Sequence, residues 1–141
     1  MRFRRKGFTL VEIMIVVAII VLLAAIAIPN LLRARLNANE ATAIAAMRTL
    51  STAMESYRAA QSPPSYPANL SLLNSSNPPY IDSQLSSGNK SGYTFTLSAG
   101  TNTYTVVATP QTENVTGVRS FFVDASGVVR VGTAANGTPI Q

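Results

Sequence analysis

The amino-acid sequence predicts an α+β chain, in which one long N-terminal α-helix spans a membrane with its first half and packs its second half against an antiparallel sheet of about three or four strands. Three observations lead there. An apolar run occupies Phe8 to Ile28, an apolar stripe at three- and four-residue steps continues to about Ala60, and beyond Gly92 the period drops to two. The expected boundaries are a leader over 1–7, a span over 8–29 and a soluble head over 30–141. Within the head they are a helix over 30–60, an irregular connection over 61–91, a sheet over 92–133 and a tail over 134–141.

The leader explains the charge. The 141 residues carry 11 basic and 6 acidic side chains, a formal net charge of +5. Arg2, Arg4, Arg5 and Lys6 supply four of those bases within the first six residues, leaving seven bases against six acids. Beyond the leader the chain is therefore close to neutral, and the basic excess speaks of membrane orientation rather than of a polyanionic partner. Basic residues flank the cytoplasmic end of a membrane helix, and only Arg33 and Arg35 follow the apolar run. The expected topology is a short N-terminus inside and the head outside. Lys90, Arg119 and Arg130 form no dense basic–aromatic stretch, so nucleic acid is not an expected partner.

The apolar run, FTLVEIMIVVAIIVLLAAIAI, carries one charge, Glu12. Its 21 residues as a helix reach roughly 31 Å, about the thickness of a bilayer's hydrocarbon core. A core helix in so small a chain would not need to be apolar on every face. A secretory signal has a shorter hydrophobic stretch; Ala24, Ala25 and Ala27 supply small residues for a cleavage site, but the helical pattern runs on through Leu31 and Leu32. Pro29 lacks an N–H and crowds the preceding turn, so it is expected to kink the helix rather than end it.

Beyond the span, Leu36, Ile44, Met47, Leu50, Met54 and Tyr57 define one apolar face of a continuing helix, expected to pack on its own domain. Pro63, Pro64 and Pro67 end that helix, and the Ser-, Asn- and Pro-rich connection that follows has room for one or two short helical turns. Tyr93–Leu97 and Tyr104–Ala108 alternate as strands around a turn at Gly100-Thr101-Asn102. Phe121–Asp124 and Val128–Val131 read as a second hairpin around Ala125-Ser126-Gly127.

Several chemistries are excluded by composition. Cysteine and histidine are absent, which removes disulfides, thiol and imidazole ligands and Ser-His-Asp catalysis. Outside the span the acids are Glu40, Glu55, Asp82, Glu113 and Asp124, none in a close sequence pair. No enzyme activity and no cofactor are expected.

Lys6-Gly7-Phe8-Thr9-Leu10-Val11-Glu12 directly precedes the run, with Pro29 near its far end. This arrangement of basic leader, Gly before an aromatic residue, Glu five residues past the Gly, and span resembles the class III signal of type IV pilins and type II secretion pseudopilins. The resemblance is specific over about residues 4–30 and architectural beyond, where the α+β layout is pilin-like. It implies cleavage between Gly7 and Phe8 by a prepilin peptidase, N-methylation of Phe8, retention of the helix in the inner membrane, and assembly on a membrane platform. The product would be a helical homopolymer with related minor subunits, as a periplasmic pseudopilus or a surface pilus. Many relatives carry Gly where this chain has Val21, which makes local unwinding during assembly less expected here. The resemblance also raises calcium near the C-terminal loops, but Asp124 is the only acid after Glu113 and calcium takes several oxygen ligands.

Glu12 has a physical reading of its own. A carboxylate within an apolar segment is expensive and marks a functional contact. A new α-amino group at Phe8 of a neighbouring subunit would be its counter-charge, attracting by about 4 kcal/mol at 4 Å and an effective dielectric of 20. The rival readings are a membrane-anchored binding module or adhesin that never polymerises, in which Glu12 is idle, and a DNA-uptake pseudopilin.

Overall fold

Local sequence rules account for the elements of this computed structural model, which describes residues 7–140; the leader bases Arg2, Arg4, Arg5 and Lys6 lie outside the described residues. Helix α1 runs from Leu10 to Ala60. It continues through Pro29 instead of ending there. The chain divides into two compact units, one up to Ala34 and one from Arg35 onward.

In the N-terminal unit α1 is apolar all round, and its large side chains from Leu10 to Leu32 are exposed. Mean hydropathy reaches 3.2 over its most apolar stretch, enough in length and composition to cross a membrane.

In the second unit the same helix becomes one-sided. Its buried residues are Glu40, Ala43, Ala46, Met47, Leu50, Ser51, Ala53 and Met54. The large members of the expected face, Met47, Leu50 and Met54, are fully covered, while Ile44 and Tyr57 pack at its margin. Ala43, Ala46 and Ala53 complete the buried face. Against them sit Tyr93, Phe95, Tyr104, Val106, Ala108, Phe121 and Val123. Tyr104 Oη donates to Ser51 Oγ at 3.0 Å, satisfying two buried hydroxyls across the layer.

The connection after α1 closes the end of this core with Tyr66, Leu70, Leu73, Ile81 and Leu85. It holds two short helices, α2 (Leu70–Ser75) and α3 (Ser83–Ser86), where one or two helical turns are expected. Each begins at a side-chain cap: Asn69 accepts from the Leu72 N–H at 3.1 Å and Asp82 from the Leu85 N–H at 2.7 Å.

The sheet is a six-stranded antiparallel meander, in spatial order β1 (Asn89–Lys90), β2 (Tyr93–Ala99), β3 (Tyr104–Pro110), β4 (Phe121–Asp124), β5 (Arg130–Val131) and β6 (Thr138–Pro139). This corrects the expected three or four strands, and it widens the expected 92–133 sheet at both ends. The physical reason is length: β1, β5 and β6 have two residues each, too few to show a period-two pattern. The β2–β3 hairpin follows expectation, with Thr96 opposite Val107 and the turn closed by Gly100 N–H to Thr103 C=O at 2.8 Å.

Two contacts fasten the β3–β4 connection to this framework. Glu40, only 6% exposed, accepts the Val118 and Arg119 N–H groups on Oε1 at 3.0 and 3.1 Å, and Arg119 Nε and Nη2 on Oε2 at 2.8 and 2.7 Å. Nearby, Tyr93 Oη donates to the Arg119 carbonyl at 2.8 Å, and Gly117 lies directly against that ring. Burial, with Glu40 adding to it and Arg119 opposing, pushes the Tyr93 phenol up to about 12, so it stays a donor at any physiological pH.

A Cβ on Gly117 would fall 2.0 Å from Tyr93 Oη. Gly117→Ala should therefore destabilise the head by about 3 kcal/mol through overpacking and the broken Tyr93 hydrogen bond. Thermal unfolding of the full chain in detergent reads this, and a midpoint within about 2 °C of wild type would contradict the packing described.

Desolvation pushes the Glu40 carboxyl up, but two N–H donors and the guanidinium outweigh it and hold it below its ordinary value. Asp124 follows the same balance against Ser126 and Arg130, and the Lys90 ammonium with the Leu85 N–H lowers Asp82. A depressed carboxylate adds stability that is present above its unfolded value and lost as pH falls through its folded one. The thermal midpoint should thus fall steeply below about pH 4. Glu40→Gln should lower the midpoint at neutral pH and flatten part of that acid slope; an unchanged slope would remove Glu40 from the account.

Candidate assembly helix and its N-terminal cap

The apolar helix begins at a cap built from its own sequence. Gly7, Phe8 and Thr9 precede it, outside helix and exposed; Phe8 is 84% exposed and Gly7 has no described neighbour within 4 Å of its Cβ position. Thr9 stands at the N-cap and Glu12 three residues on. The Thr9 N–H and Thr9 hydroxyl donate to Glu12 Oε2 at 2.8 and 2.7 Å, and the Glu12 N–H donates to Thr9 Oγ1 at 3.2 Å. This is a reciprocal capping box, which satisfies donors that a helix start otherwise leaves open. Sequence reasoning that weighed Glu12 for its charge passed over Thr9, although Thr-x-x-Glu before an apolar run is the signature of this cap.

The geometry brings Gly7, Phe8, Thr9 and Glu12 together over one turn. Pro29 stands well over four helical turns beyond Glu12 and shares no contact with that cluster. One carboxylate oxygen is occupied by Thr9; Glu12 Oε1 has no hydrogen-bond partner among the described residues.

In the head, many of the described charged groups are engaged with one another. Three ion pairs form among its described residues: Glu40 with Arg119, Asp82 with Lys90 at 2.6 Å, and Asp124 with Arg130 at 3.3 Å. The three bases weighed for nucleic acid are therefore each neutralised. Glu55 accepts the Tyr66 hydroxyl at 2.7 Å, and Arg58 lies 5.1 Å over the Tyr66 ring. Asp124, the acid weighed for calcium, takes the Ser126 N–H and hydroxyl on Oδ1 and Arg130 on Oδ2, so it shapes the β4–β5 turn. Among the described residues no three His, Cys, Asp or Glu side chains cluster as metal ligands. A shallow groove of about 370 Å³ runs along Arg48, Thr49, Thr52, Ser56 and Tyr80 and has no carboxylate in its lining.

Comparison with a family model bears on the same N-terminal residues, and three relatives match part of the chain. Residues 2–28 match the prokaryotic N-terminal methylation motif. The type IV major pilin protein PilA of Myxococcus xanthus is 48% identical over 54 residues, 38% of this chain and 24% of that protein. The type IV wide pilus major component PilA4 of Thermus thermophilus is 49% identical over 53 residues, 38% of this chain and 40% of its own length. The type II secretion system core protein G of Pectobacterium carotovorum is 36% identical over 56 residues, 40% of this chain and 36% of its own. The chain is thus similar to two type IV pilus subunits and a type II secretion core protein over about two fifths of its own length. Its match spans a quarter to two fifths of the length of these pilin and pseudopilin relatives. No solved structure matches the chain. Within this pilin-like α+β fold the methylation motif coincides with the exposed Gly7–Phe8 step and the capped start of α1.

The Thr9 hydroxyl should be worth about 1 kcal/mol to the helix start. In detergent micelles, Thr9→Val should accelerate hydrogen exchange at the Glu12 amide about fivefold while amides near Val21 keep their rates. Equal exchange at Glu12 in both proteins would show that the cap contributes nothing.

Proposed function

We propose that this chain is a non-enzymatic structural subunit of a bacterial type IV pilus or type II secretion pseudopilus. It is held in the cytoplasmic membrane by α1 until it is drawn into a filament. The observation that carries this reading is an apolar helix exposed on every face, from Leu10 to Leu32. Such a surface is stable in lipid, or among copies of itself, and nowhere in water.

The remaining parts take roles from that starting point. The basic leader Arg2, Arg4, Arg5 and Lys6 fixes the N-terminus inside and the head outside. A prepilin peptidase cuts between Gly7 and Phe8, a step favoured by the exposed, non-helical backbone on both sides of that bond. Cleavage removes the leader charges and creates an amine at Phe8, which is then N-methylated. Glu12 serves two partners: Oε2 holds the Thr9 cap, and Oε1 is left for the Phe8 amine of an adjacent subunit. In lipid, near the cytoplasmic interface, an unpaired Oε1 is tolerable. In a filament core it is not, so the pair favours the register in which each carboxylate meets an amine. Pro29 supplies the point of bending between membrane and head. Related minor subunits and a membrane assembly platform complete the partner set. The higher identities, 48% and 49%, fall on pilus subunits and 36% on the secretion protein, which supports the pilus form.

Mass spectrometry of the mature chain should find methyl-phenylalanine corresponding to Phe8 as its first residue. A chain beginning after Ala25 or Ala27 would end this reading, because α1 would have been discarded. Glu12→Ala should leave membrane insertion intact and lower the yield of sheared filaments by about tenfold or more; equal filament yield would assign Glu12 to the cap alone.

A further inference from the structure

The head displays one surface that its own fold does not need. Between β3 and β4 the chain forms a tight loop whose backbone closes on itself: Thr116 N–H donates to the Thr112 carbonyl at 2.9 Å, and Asn114 N–H to the Gly117 carbonyl at 2.9 Å. Asn114 takes a left-handed conformation, φ 61°, to make that turn. Helix α1 pins the loop from beneath. Asn39 Nδ2 donates to the Thr116 carbonyl at 2.9 Å, and Glu40 takes the Val118 and Arg119 N–H groups. A loop fastened at so many points would be expected to turn its apolar side chains inward. Instead Val115 is 65% exposed and Val118 53%, with Glu113 exposed beside them.

Charge bookkeeping across the described residues identifies what would cover it. Glu40, Asp82 and Asp124 have cationic partners, Glu55 accepts from Tyr66, and Glu12 is bound by Thr9. Glu113 has no ion pair or side-chain hydrogen bond among the described residues, and neither have Arg33 and Arg35. Of these two cations Arg33 belongs to the N-terminal unit, the part of the chain whose entire surface must be covered in a filament. A guanidinium carried into that packing needs a counter-charge, since an unpaired buried ion is strongly destabilising. Arg33 also shares a helical stripe, at three- and four-residue steps, with Ile26 and Pro29, both exposed. One surface thus has a carboxylate beside two valines, and the other a guanidinium beside an isoleucine and a proline.

We infer that the Glu113–Val118 loop is a subunit contact, docking on the Ile26–Pro29–Arg33 stripe of a second copy of this chain, with Glu113 paired to Arg33. This rests on the filament reading above and adds to it the surface by which a head meets a neighbour's helix. The pinning by Asn39 and Glu40 then has a purpose beyond stability: it presents the valines in a fixed geometry, so that little loop ordering is needed on contact.

The test is a charge swap in the full chain. Glu113→Arg should lower the sheared-filament yield about tenfold, since it places like charges together. Adding Arg33→Glu should restore the yield to within about twofold of wild type, because opposite charges again meet across the contact. Glu113 is exposed and unpaired, so the thermal midpoint of the single variant should not move. The absence of native cysteine permits a second readout. Chains carrying Val115→Cys and chains carrying Asn30→Cys, co-expressed and treated with a short bis-maleimide, should yield a mixed dimer from filaments. Wild-type filaments with neither a charge-swap rescue nor a mixed dimer would overturn this contact and leave the filament reading standing. A wild-type chain that forms no filament would overturn both. Rescue by Arg35→Glu in place of Arg33→Glu, or coupling of Val115→Cys to a different protein alone, would also overturn the assignment.

Discussion

One helix in this protein has to be stable in two solvents. From Leu10 to about Leu32 every face of α1 is apolar and uncovered, which suits hydrocarbon or a bundle of identical helices. From Glu40 to Met54 the same helix buries only one stripe and leaves polar residues such as Thr42, Thr49 and Thr52 outside. The transition is written in side-chain size as well as polarity. Branched aliphatic residues crowd the first half, whereas alanines at 43, 46 and 53 thin the buried face of the second so that a sheet can close on it. Everything else in the head is arranged around that thinned stripe.

Glu40 shows how the head keeps its shape. A carboxylate this buried is unfavourable unless its oxygens are filled, and here four donors fill them. Three of those four donors belong to Arg119, so the loop before β4 cannot move without exposing the acid to an apolar surround. Gly117 under the Tyr93 ring and the Tyr93 hydrogen bond to the Arg119 carbonyl lock the same segment from the sheet side. The head lacks the cysteines that could tie its end covalently, and this polar node with the β4–β6 meander does that work by hydrogen bonding.

The charge pattern of the head is local. Lys90, Arg119 and Arg130 are each held in an ion pair, and threonine, serine and a few exposed valines stand among the surface residues. The proposed function lies in surfaces that meet other copies. The filament reading therefore draws on exposure at both ends of the problem: the uncovered apolar helix, and the small apolar loop held out from the head.

The sequence by itself determined the elements whose signal is long or local. The apolar run, its single carboxylate, the helical stripe through Met47, Leu50 and Met54, and the β2–β3 hairpin were all legible, because each repeats a period over many residues. The Thr9–Glu12 cap was legible too, as a four-residue motif, and was outweighed by attention to charge. Tertiary structure alone decided the rest. Strands of two residues exist only because neighbours supply their hydrogen bonds, so β1, β5 and β6 carry no pattern of their own. Glu40 reads as an ordinary helix-surface acid until the β3–β4 loop, almost eighty residues away, brings Arg119 onto it. A period records which way a side chain faces; which distant group it meets is fixed only when the chain has closed.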